Sequence, residues 1–304
     1  MDNLIKVAEG FHFLEGPRWH ENKLWFSDMH GYKVYNLDAD GNLSTLAEIP
    51  EQPSGLGWLP DGSLIIVSML DRKLMKLKDG ELSIHADMSH LTPYQCNDMV
   101  IAKDGTAYVG NFGADNVESK IHKTCLISVT QEGETKICAD GLLFPNGTVI
   151  SPDGKELIVG ETFGGNLTSF QINESGELSH RAIWARVMPL HFKIITSIIR
   201  FLNIPLKESN STPFPVPDGI CLDSDNGIWV ASPTTAEVIR YKKGGKITDR
   251  IATPQPAYAC MLGGKDEKEL YILTAESSNP QFCKENKTGE IYKVEVDYER
   301  AGEP

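Results

Sequence analysis

Six short segments of the sequence align with one another, and each one opens a pair of apolar strands. The segments are Glu15-Gly-Pro-Arg-Trp, Ser54-Gly-Leu-Gly-Trp, Asn97-Asp-Met-Val-Ile, Asn146-Gly-Thr-Val-Ile, Asp218-Gly-Ile-Cys-Leu and Ala259-Cys-Met-Leu-Gly. In most copies the two strands are joined by Asp-Gly or Asn-Gly, which are strong hairpin signals because both residues tolerate positive φ. The repetition predicts a fold built from copies of one hairpin unit.

The spacing of the copies identifies the architecture. Steps of 39, 43, 49, 72 and 41 residues separate the six segments, and a second, more polar hairpin follows each apolar one. Four strands per repeat at this period predict an all-β, six-bladed β-propeller that forms a single domain over residues 1–304. A β-sandwich with irregular loops is the alternative. The sixth copy lacks a fourth strand, so we expect Leu4–Ala8 to supply it and to close the ring.

The longest step contains an insert between the fourth and fifth blades, residues 189–215. Apolar residues recur there at helical spacing beside basic ones, which predicts a short amphipathic basic helix. The segment is too short and too charged to span a bilayer. Three interpretations remain open: a lid over the pocket, a weak interfacial contact with a membrane through residues 190–206, or a small core packed on the rim.

The charge balance limits the class of partner. The chain has 29 Lys and Arg against 42 Asp and Glu, a formal charge of −13, which argues against nucleic acid or an anionic membrane surface as the main partner. No secretory signal is visible near Met1, and six scattered cysteines show no paired spacing. We therefore expect reduced cysteines and a cytoplasmic protein. Monomer and dimer both remain open.

The first residues of the six segments should form a ring at one mouth of the central channel. Four of these positions carry carboxylate or carboxamide oxygens: Glu15, Asn97, Asn146 and Asp218. A single Asn or Asp would be explained as the cap of its own turn, but four at one register predict a divalent metal site. Ca²⁺ is the first choice because it accepts several oxygen ligands in irregular geometry, and Mg²⁺, Mn²⁺ or Zn²⁺ are the alternatives.

A metal in this ring could polarise a substrate oxygen, and a neighbouring carboxylate could serve as general base. We predict Asp218 as the catalytic residue because the insert runs directly into it, with Glu15 as second choice. His30 is a weaker candidate for a second acid or base. Phe112, Phe163 and Tyr258 should line the pocket and favour a partly hydrophobic substrate, although each could equally be rim packing.

The most specific motifs resemble a known family. They are Leu14-Glu-Gly-Pro-Arg-Trp, Cys96-Asn-Asp, Phe144-Pro-Asn-Gly, Val216-Pro-Asp-Gly-Ile-Cys-Leu-Asp and Ala259-Cys-Met-Leu-Gly-Gly. They resemble the senescence marker protein, regucalcin and gluconolactonase family of six-bladed propellers and, more distantly, diisopropyl fluorophosphatase. The resemblance implies that Glu15, Asn146 and Asp218 bind the catalytic metal, that Asn97 binds metal or substrate, and that Asp218 is the base or nucleophile.

One departure from the family concerns the substrate. Sugar-lactone members have an Arg two residues before the first Asn, whereas this chain has Gln95. We therefore expect a metal-dependent hydrolase (EC 3.1.1) that opens a lactone or related ester less polar than gluconolactone, with Gln95 and Asn97 orienting it. The alternatives are an organophosphate hydrolase of the diisopropyl fluorophosphatase type and a non-catalytic propeller that binds calcium or another ligand. A strictosidine-synthase-like condensation is a third.

Overall fold

A computed structural model describes residues 3–114, 120–189 and 214–304. The strands in these ranges form six four-stranded antiparallel sheets. Blade 1 contains β2 (Leu14–His20), β3 (Lys23–Asp28), β4 (Lys33–Leu37) and β5 (Leu43–Glu48). Blade 2 contains β6 (Pro53–Trp58), β7 (Leu64–Ser68), β8 (Lys73–Lys78) and β9 (Glu81–Asp87). Blade 3 contains β10 (Cys96–Ile101), β11 (Ala107–Asn111), β12 (Thr124–Val129) and β13 (Thr135–Leu142).

The second half of the ring repeats this pattern. Blade 4 contains β14 (Pro145–Ile150), β15 (Glu156–Glu161), β16 (Asn166–Ile172) and β17 (Leu178–Arg186). Blade 5 contains β18 (Ile220–Leu222), β19 (Gly227–Ser232), β20 (Glu237–Lys242) and β21 (Ile247–Ala252). Blade 6 contains β22 (Ala257–Gly263), β23 (Glu269–Thr274), β24 (Gly289–Glu295) and β1 (Ile5–Phe11). The predicted six-bladed propeller is therefore confirmed.

Burial explains why the two hairpins of each blade differ in sequence. The apolar strand β7 is buried along its whole length, whereas the outer strand β9 is mostly exposed. A short continuous apolar run suits a strand enclosed on both faces, which is the position of the inner strands between neighbouring blades.

The ring is closed by the first strand, as predicted. β1 pairs antiparallel with β24, with Ile5 opposite Lys293 and Phe11 opposite Gly289. The predicted insert helix lies almost entirely in residues 190–213, outside the described part of the chain. A helix that the sequence did not predict, α1 (Pro280–Glu285), lies between β23 and β24, and the Asn279 side chain caps it by accepting a hydrogen bond from the Phe282 N–H at 3.0 Å.

The C-terminal segment packs against blades 4 and 5. The Ile150 and Glu303 backbones exchange hydrogen bonds of 2.7 and 2.9 Å. Arg240, fully buried in blade 5, donates from Nε to Asp223 Oδ2 at 2.6 Å, and its guanidinium lies 3.5 Å from the centre of the Tyr298 ring. A contact between the Arg240 guanidinium and the Tyr298 ring thus joins the segment to blade 5, and the ion pair with Asp223 holds that guanidinium in place.

The inner strands are irregular where they enter the ring. Register shifts occur in β2, β6, β10, β14 and β22, and in blade 5 the ladder begins only at Ile220, two residues after Asp218. A β-bulge changes the direction of nearby side chains. The inner strands also approach closely, since a Cβ on Gly147 would lie 2.5 Å from the Ile220 nitrogen.

The described helices include none long and apolar enough to cross a membrane.

Candidate metal centre

The four predicted metal ligands lie at equivalent places in four blades. Glu15, Asn97 and Asn146 belong to the inner strands β2, β10 and β14, and Asp218 immediately precedes β18. They are only 6%, 3%, 4% and 7% exposed, respectively. Asn146 donates from Nδ2 to Asp218 Oδ1 at 2.5 Å, so blades 4 and 5 bring these two side chains into direct contact. Their role as ligands stays a prediction.

The two carboxyl groups of the ring interact with each other in a dry environment. Burial, followed by the charges of Asp218 and Asp98, raises the pKa of Glu15 well above its usual value. Burial also raises the pKa of Asp218 to about 8, although the hydrogen bond from Asn146 opposes this shift. Two negatively charged carboxylates that lie close together and away from water destabilise the folded state unless a cation compensates their charge.

The donor set fits a hard divalent cation. Asn146 Oδ1 is fully buried and has no hydrogen-bond partner among the described residues. A carboxamide oxygen of this kind, together with two carboxylates, supplies the all-oxygen environment that Ca²⁺ or Mg²⁺ prefers. Within the described ranges no three His, Cys, Asp or Glu side chains cluster around a metal-sized space, so the proposed site depends on its carboxamides.

A buried ion pair near the ring was not predicted from the sequence. Arg18 donates from Nη2 to Asp98 Oδ1 at 2.6 Å, and from Nε to the Leu56 carbonyl at 2.8 Å. Both charged side chains are almost completely buried. Asp98 is thus a third carboxylate in the region, but Arg18 compensates its charge. The same guanidinium links blades 1, 2 and 3, which supports the spacing of the ring residues.

A layer of uncharged residues lies two positions before the ring residues. Only Ala257 lies within an inner strand and the other members precede one, so this layer lies where the chain enters the inner strands, beside the ring residues. Its members are Phe13, Gln52, Gln95, Phe144, Val216 and Ala257. Gln95 is half-buried. Its carbonyl accepts a hydrogen bond from the Phe112 N–H at 3.0 Å, which places two predicted substrate residues side by side.

Aromatic side chains form two groups at this mouth. Phe144 stacks on Phe112 with ring centroids 4.5 Å apart and meets Phe163 edge-on at 5.2 Å. Across the mouth, Tyr258 meets Phe13 with centroids 4.7 Å apart. The structure therefore connects the predicted Phe112 and Phe163 through Phe144 and places Tyr258 in the other group. Contact of these rings with a substrate stays a prediction.

His30 lies beside the Phe13 ring and forms a pair with Gln52. Its Nδ1 is 3.0 Å from Gln52 Nε2, and the imidazole is 6% exposed. Burial, followed by the electrostatic effects of Lys284 and His12, lowers the pKa of His30 to about 4. The imidazole is therefore neutral near pH 7, which disfavours a role as general acid.

This lowered pKa predicts a pH-dependent contribution to stability. Between pH 6.5 and about 4 the unfolded chain binds a proton at His30 and the folded chain does not, so stability falls as the pH falls through this window. We expect His30 to contribute about 2 kcal/mol to that loss. Urea unfolding at pH 7 and pH 4 should show a smaller loss in His30→Phe than in the wild type. An equal loss of stability in both proteins would contradict the lowered pKa of His30.

A separate cleft of about 370 Å³ lies between the end of β13 in blade 3 and the strands β15 to β17 of blade 4, and no ring residue lines it. Its buried Glu161 accepts hydrogen bonds from Arg181 at 3.1 Å and from the Leu143 N–H at 2.8 Å. These charged groups already satisfy each other. We therefore place the candidate functional site at the ring.

Comparisons with known proteins agree with the architecture. The model of the SMP-30/gluconolactonase/LRE-like region matches residues 13–276. The chain is 24% identical to a pentonolactonase of Haloferax volcanii over 266 residues, covering 86% of this chain and 81% of that protein. It is 30% identical to human regucalcin over 309 residues, covering 92% of this chain and 89% of that protein.

A solved structure is similar over almost the whole length of the chain. The structure of a luciferin-regenerating enzyme matches with a TM-score of 0.77 and 17% identity, covering 98% of this chain and 97% of that one. At this level of identity the similarity establishes the fold alone.

Proposed function

We propose that this chain, which belongs to the SMP-30/gluconolactonase/LRE-like family, is a divalent-metal-dependent hydrolase that opens a lactone or a related ester. Relatives named as lactonases, including the pentonolactonase described above, support lactone hydrolysis as the general activity. Metal dependence, the catalytic role of Asp218 and the polarity of the substrate are the finer parts of the proposal.

The observation that carries the proposal is the contact between Asn146 and Asp218. One amide hydrogen of Asn146 is donated to the carboxylate, while its buried Oδ1 has no partner in the described structure. A buried oxygen without a partner reduces the stability of the fold unless a bound ligand interacts with it. Glu15 and Asn97, at the matching register in blades 1 and 3, would supply further oxygens to the same cation.

Each residue of the ring would have a distinct task. A bound divalent cation would polarise the ester carbonyl and increase the acidity of water. Asp218 would accept the proton of the attacking water, because its carboxylate is held by Asn146 and is shielded from solvent. Gln95 and Asn97 would orient the substrate, and Phe112, Phe163 and Tyr258 would contact its apolar part. Ca²⁺ is our first choice of ion because the donors are all oxygen atoms.

Substrate polarity and cellular location are inferred from the composition of the site and the chain. The layer next to the ring contains amides and apolar groups but no charged side chain, which favours a lactone or ester of low polarity. The six cysteines, all within the described ranges, form no disulfide with one another, in agreement with a reducing compartment such as the cytoplasm.

The test is metal removal and replacement. Protein treated with a chelator should lose hydrolysis of a panel running from gluconolactone to long-chain γ-lactones, and one of Ca²⁺, Mg²⁺, Mn²⁺ or Zn²⁺ should restore it. Differential scanning calorimetry should show a higher Tm with the activating ion, since a ligand that binds only the folded state stabilises it. Folded protein that is inactive on the whole panel with every ion would refute the lactonase proposal, and turnover of a phosphotriester instead would favour organophosphate hydrolysis.

A further inference from the structure

We propose that His30, held by Gln52, is a specificity-determining hydrogen-bond donor at the mouth of the metal centre. Its partner would be a neutral acceptor oxygen in an otherwise apolar substrate. The inference rests on the proposed function and names the substrate class: lactones whose hydrocarbon chain is attached through an amide, ester or ketone carbonyl.

The position of the pair supports this role. His30 follows β3 by two residues, at the end of the strand that pairs with the start of β2. Its ring lies 6.1 Å from the Phe13 ring, measured between centroids, and Phe13 precedes Glu15 by two residues. Gln52 precedes the ring residue Ser54 by two residues. Gln52 therefore belongs to the layer next to the ring, and it holds His30 beside that layer at the junction of blades 1 and 2.

The hydrogen bond between the two side chains determines which imidazole nitrogen carries the proton. An amide nitrogen can only donate, so Gln52 Nε2 donates to His30 Nδ1, and the neutral ring carries its hydrogen on Nε2. Nε2 has no hydrogen-bond partner in the described part of the chain, and it is not among the fully buried unpaired polar atoms. It is therefore an N–H donor that retains contact with solvent.

The backbone of Gln52 points to a role for its side chain. Gln52 has φ of 67°, in the left-handed region that favours glycine. Two backbone hydrogen bonds hold it there: its N–H donates to the Ile49 carbonyl at 3.1 Å, and its carbonyl accepts from the Met69 N–H at 2.9 Å. Glycine would satisfy this turn with less strain. The buried glutamine amide instead fixes the orientation of His30.

The surroundings of the donor indicate the rest of the ligand. Phe13, Phe144, Val216 and Ala257 make most of the adjacent layer apolar, and Gln52 and Gln95 are uncharged. A polyhydroxylated group would lose its hydration against this layer without enough hydrogen-bond partners to replace it. An apolar chain with one carbonyl oxygen would bury its hydrocarbon part and accept one hydrogen bond from His30.

The test compares two γ-lactams of the same shape, which retain the five-membered ring but replace the ester by an amide. One is 3-(hexanoylamino)pyrrolidin-2-one, and the other is 3-heptylpyrrolidin-2-one, which has the same chain length but lacks the side-chain amide, both its N–H and its carbonyl. Dissociation constants are measured by calorimetry on the metal-loaded protein. His30→Phe should weaken binding of the acylamino lactam about tenfold and of the heptyl lactam less than twofold, because only the first loses a hydrogen bond.

Gln52→Gly separates a binding role from a structural one. Glycine relieves the backbone strain, so the free energy of unfolding should be unchanged or higher, while binding of the acylamino lactam should weaken several-fold. Equal Kd values in wild type and His30→Phe, equal weakening for both lactams, or no binding of either lactam to wild type would each overturn the inference. Lactam selectivity without hydrolysis of any lactone would instead refute the proposed hydrolase and retain the donor role of His30.

Discussion

Replacement of Asp218 by Asn is expected to lower kcat for lactone hydrolysis by about a thousandfold while the fold is retained. A positioned general base contributes about 10²- to 10⁴-fold to a rate, and an amide cannot accept the proton of the attacking water. Asn has nearly the same shape as Asp. The contact with Asn146 can therefore be kept as a hydrogen bond between two amide groups. Steady-state kinetics at saturating metal, with circular dichroism as the check on folding, would measure the effect.

Glu15→Gln is the matched control for that experiment. Glu15 is also a buried carboxylate of the ring, but in this proposal it is a ligand and not the base. Its variant should bind the activating ion more weakly and should regain much of its activity at high metal concentration, whereas Asp218→Asn should not. If both variants recovered equally with added metal, Asp218 would be a ligand only, and the base would have to be another group.

Loss of the Asp223 carboxylate is expected to produce the largest loss of stability outside the ring. Asp223 and Arg240 have side chains with 0% exposure, and the Nε to Oδ2 distance is 2.6 Å. Asp223→Ala leaves a buried guanidinium without its main partner, which should cost about 3–5 kcal/mol in the free energy of unfolding. Denaturant titration monitored by tryptophan fluorescence would measure it.

The same blade contains a control for this prediction. Arg250 donates to Glu237 at 2.7 Å, but the Arg250 side chain is 47% exposed. Exposed ion pairs usually contribute less than about 1 kcal/mol, so Arg250→Met should change the unfolding free energy by no more than that. Comparable losses in Asp223→Ala and Arg250→Met would show that burial does not determine the strength of these pairs.

The blades were predictable because their chemistry repeats. Apolar hairpins joined by Asp-Gly turns recur along the chain, and the apolar residues of each copy indicate the same buried inner strands. Even the closure by β1 could be inferred, because the last repeat lacked one strand. The helix α1 could not, since it is a six-residue segment without a repeated counterpart.

The ring register was visible in the sequence, but the groups around it were only partly visible. Phe144 and Gln52 occupy turns with positive φ, where sequence patterns usually suggest Gly or Asn. Both precede a ring position by two residues, as Gln95 does, and this shared register would have revealed them. Arg18 and Asp98 are 80 residues apart in the chain and belong to different blades, so only the closed ring brings them together.

The pairing of β1 with β24 also has a consequence for synthesis on the ribosome. Blades 1 to 5 each consist of consecutive strands and can assemble as they leave the exit tunnel. Blade 6 needs Ile5–Phe11, which is made before every other strand of the propeller, and Gly289–Glu295, which begins 289 − 5 = 284 residues later. The strand β1 therefore stays without its partner until β24 is made, with an exposed edge that invites association with other chains. Charged residues such as Lys6 and Glu9 within that strand would discourage such contacts during the delay.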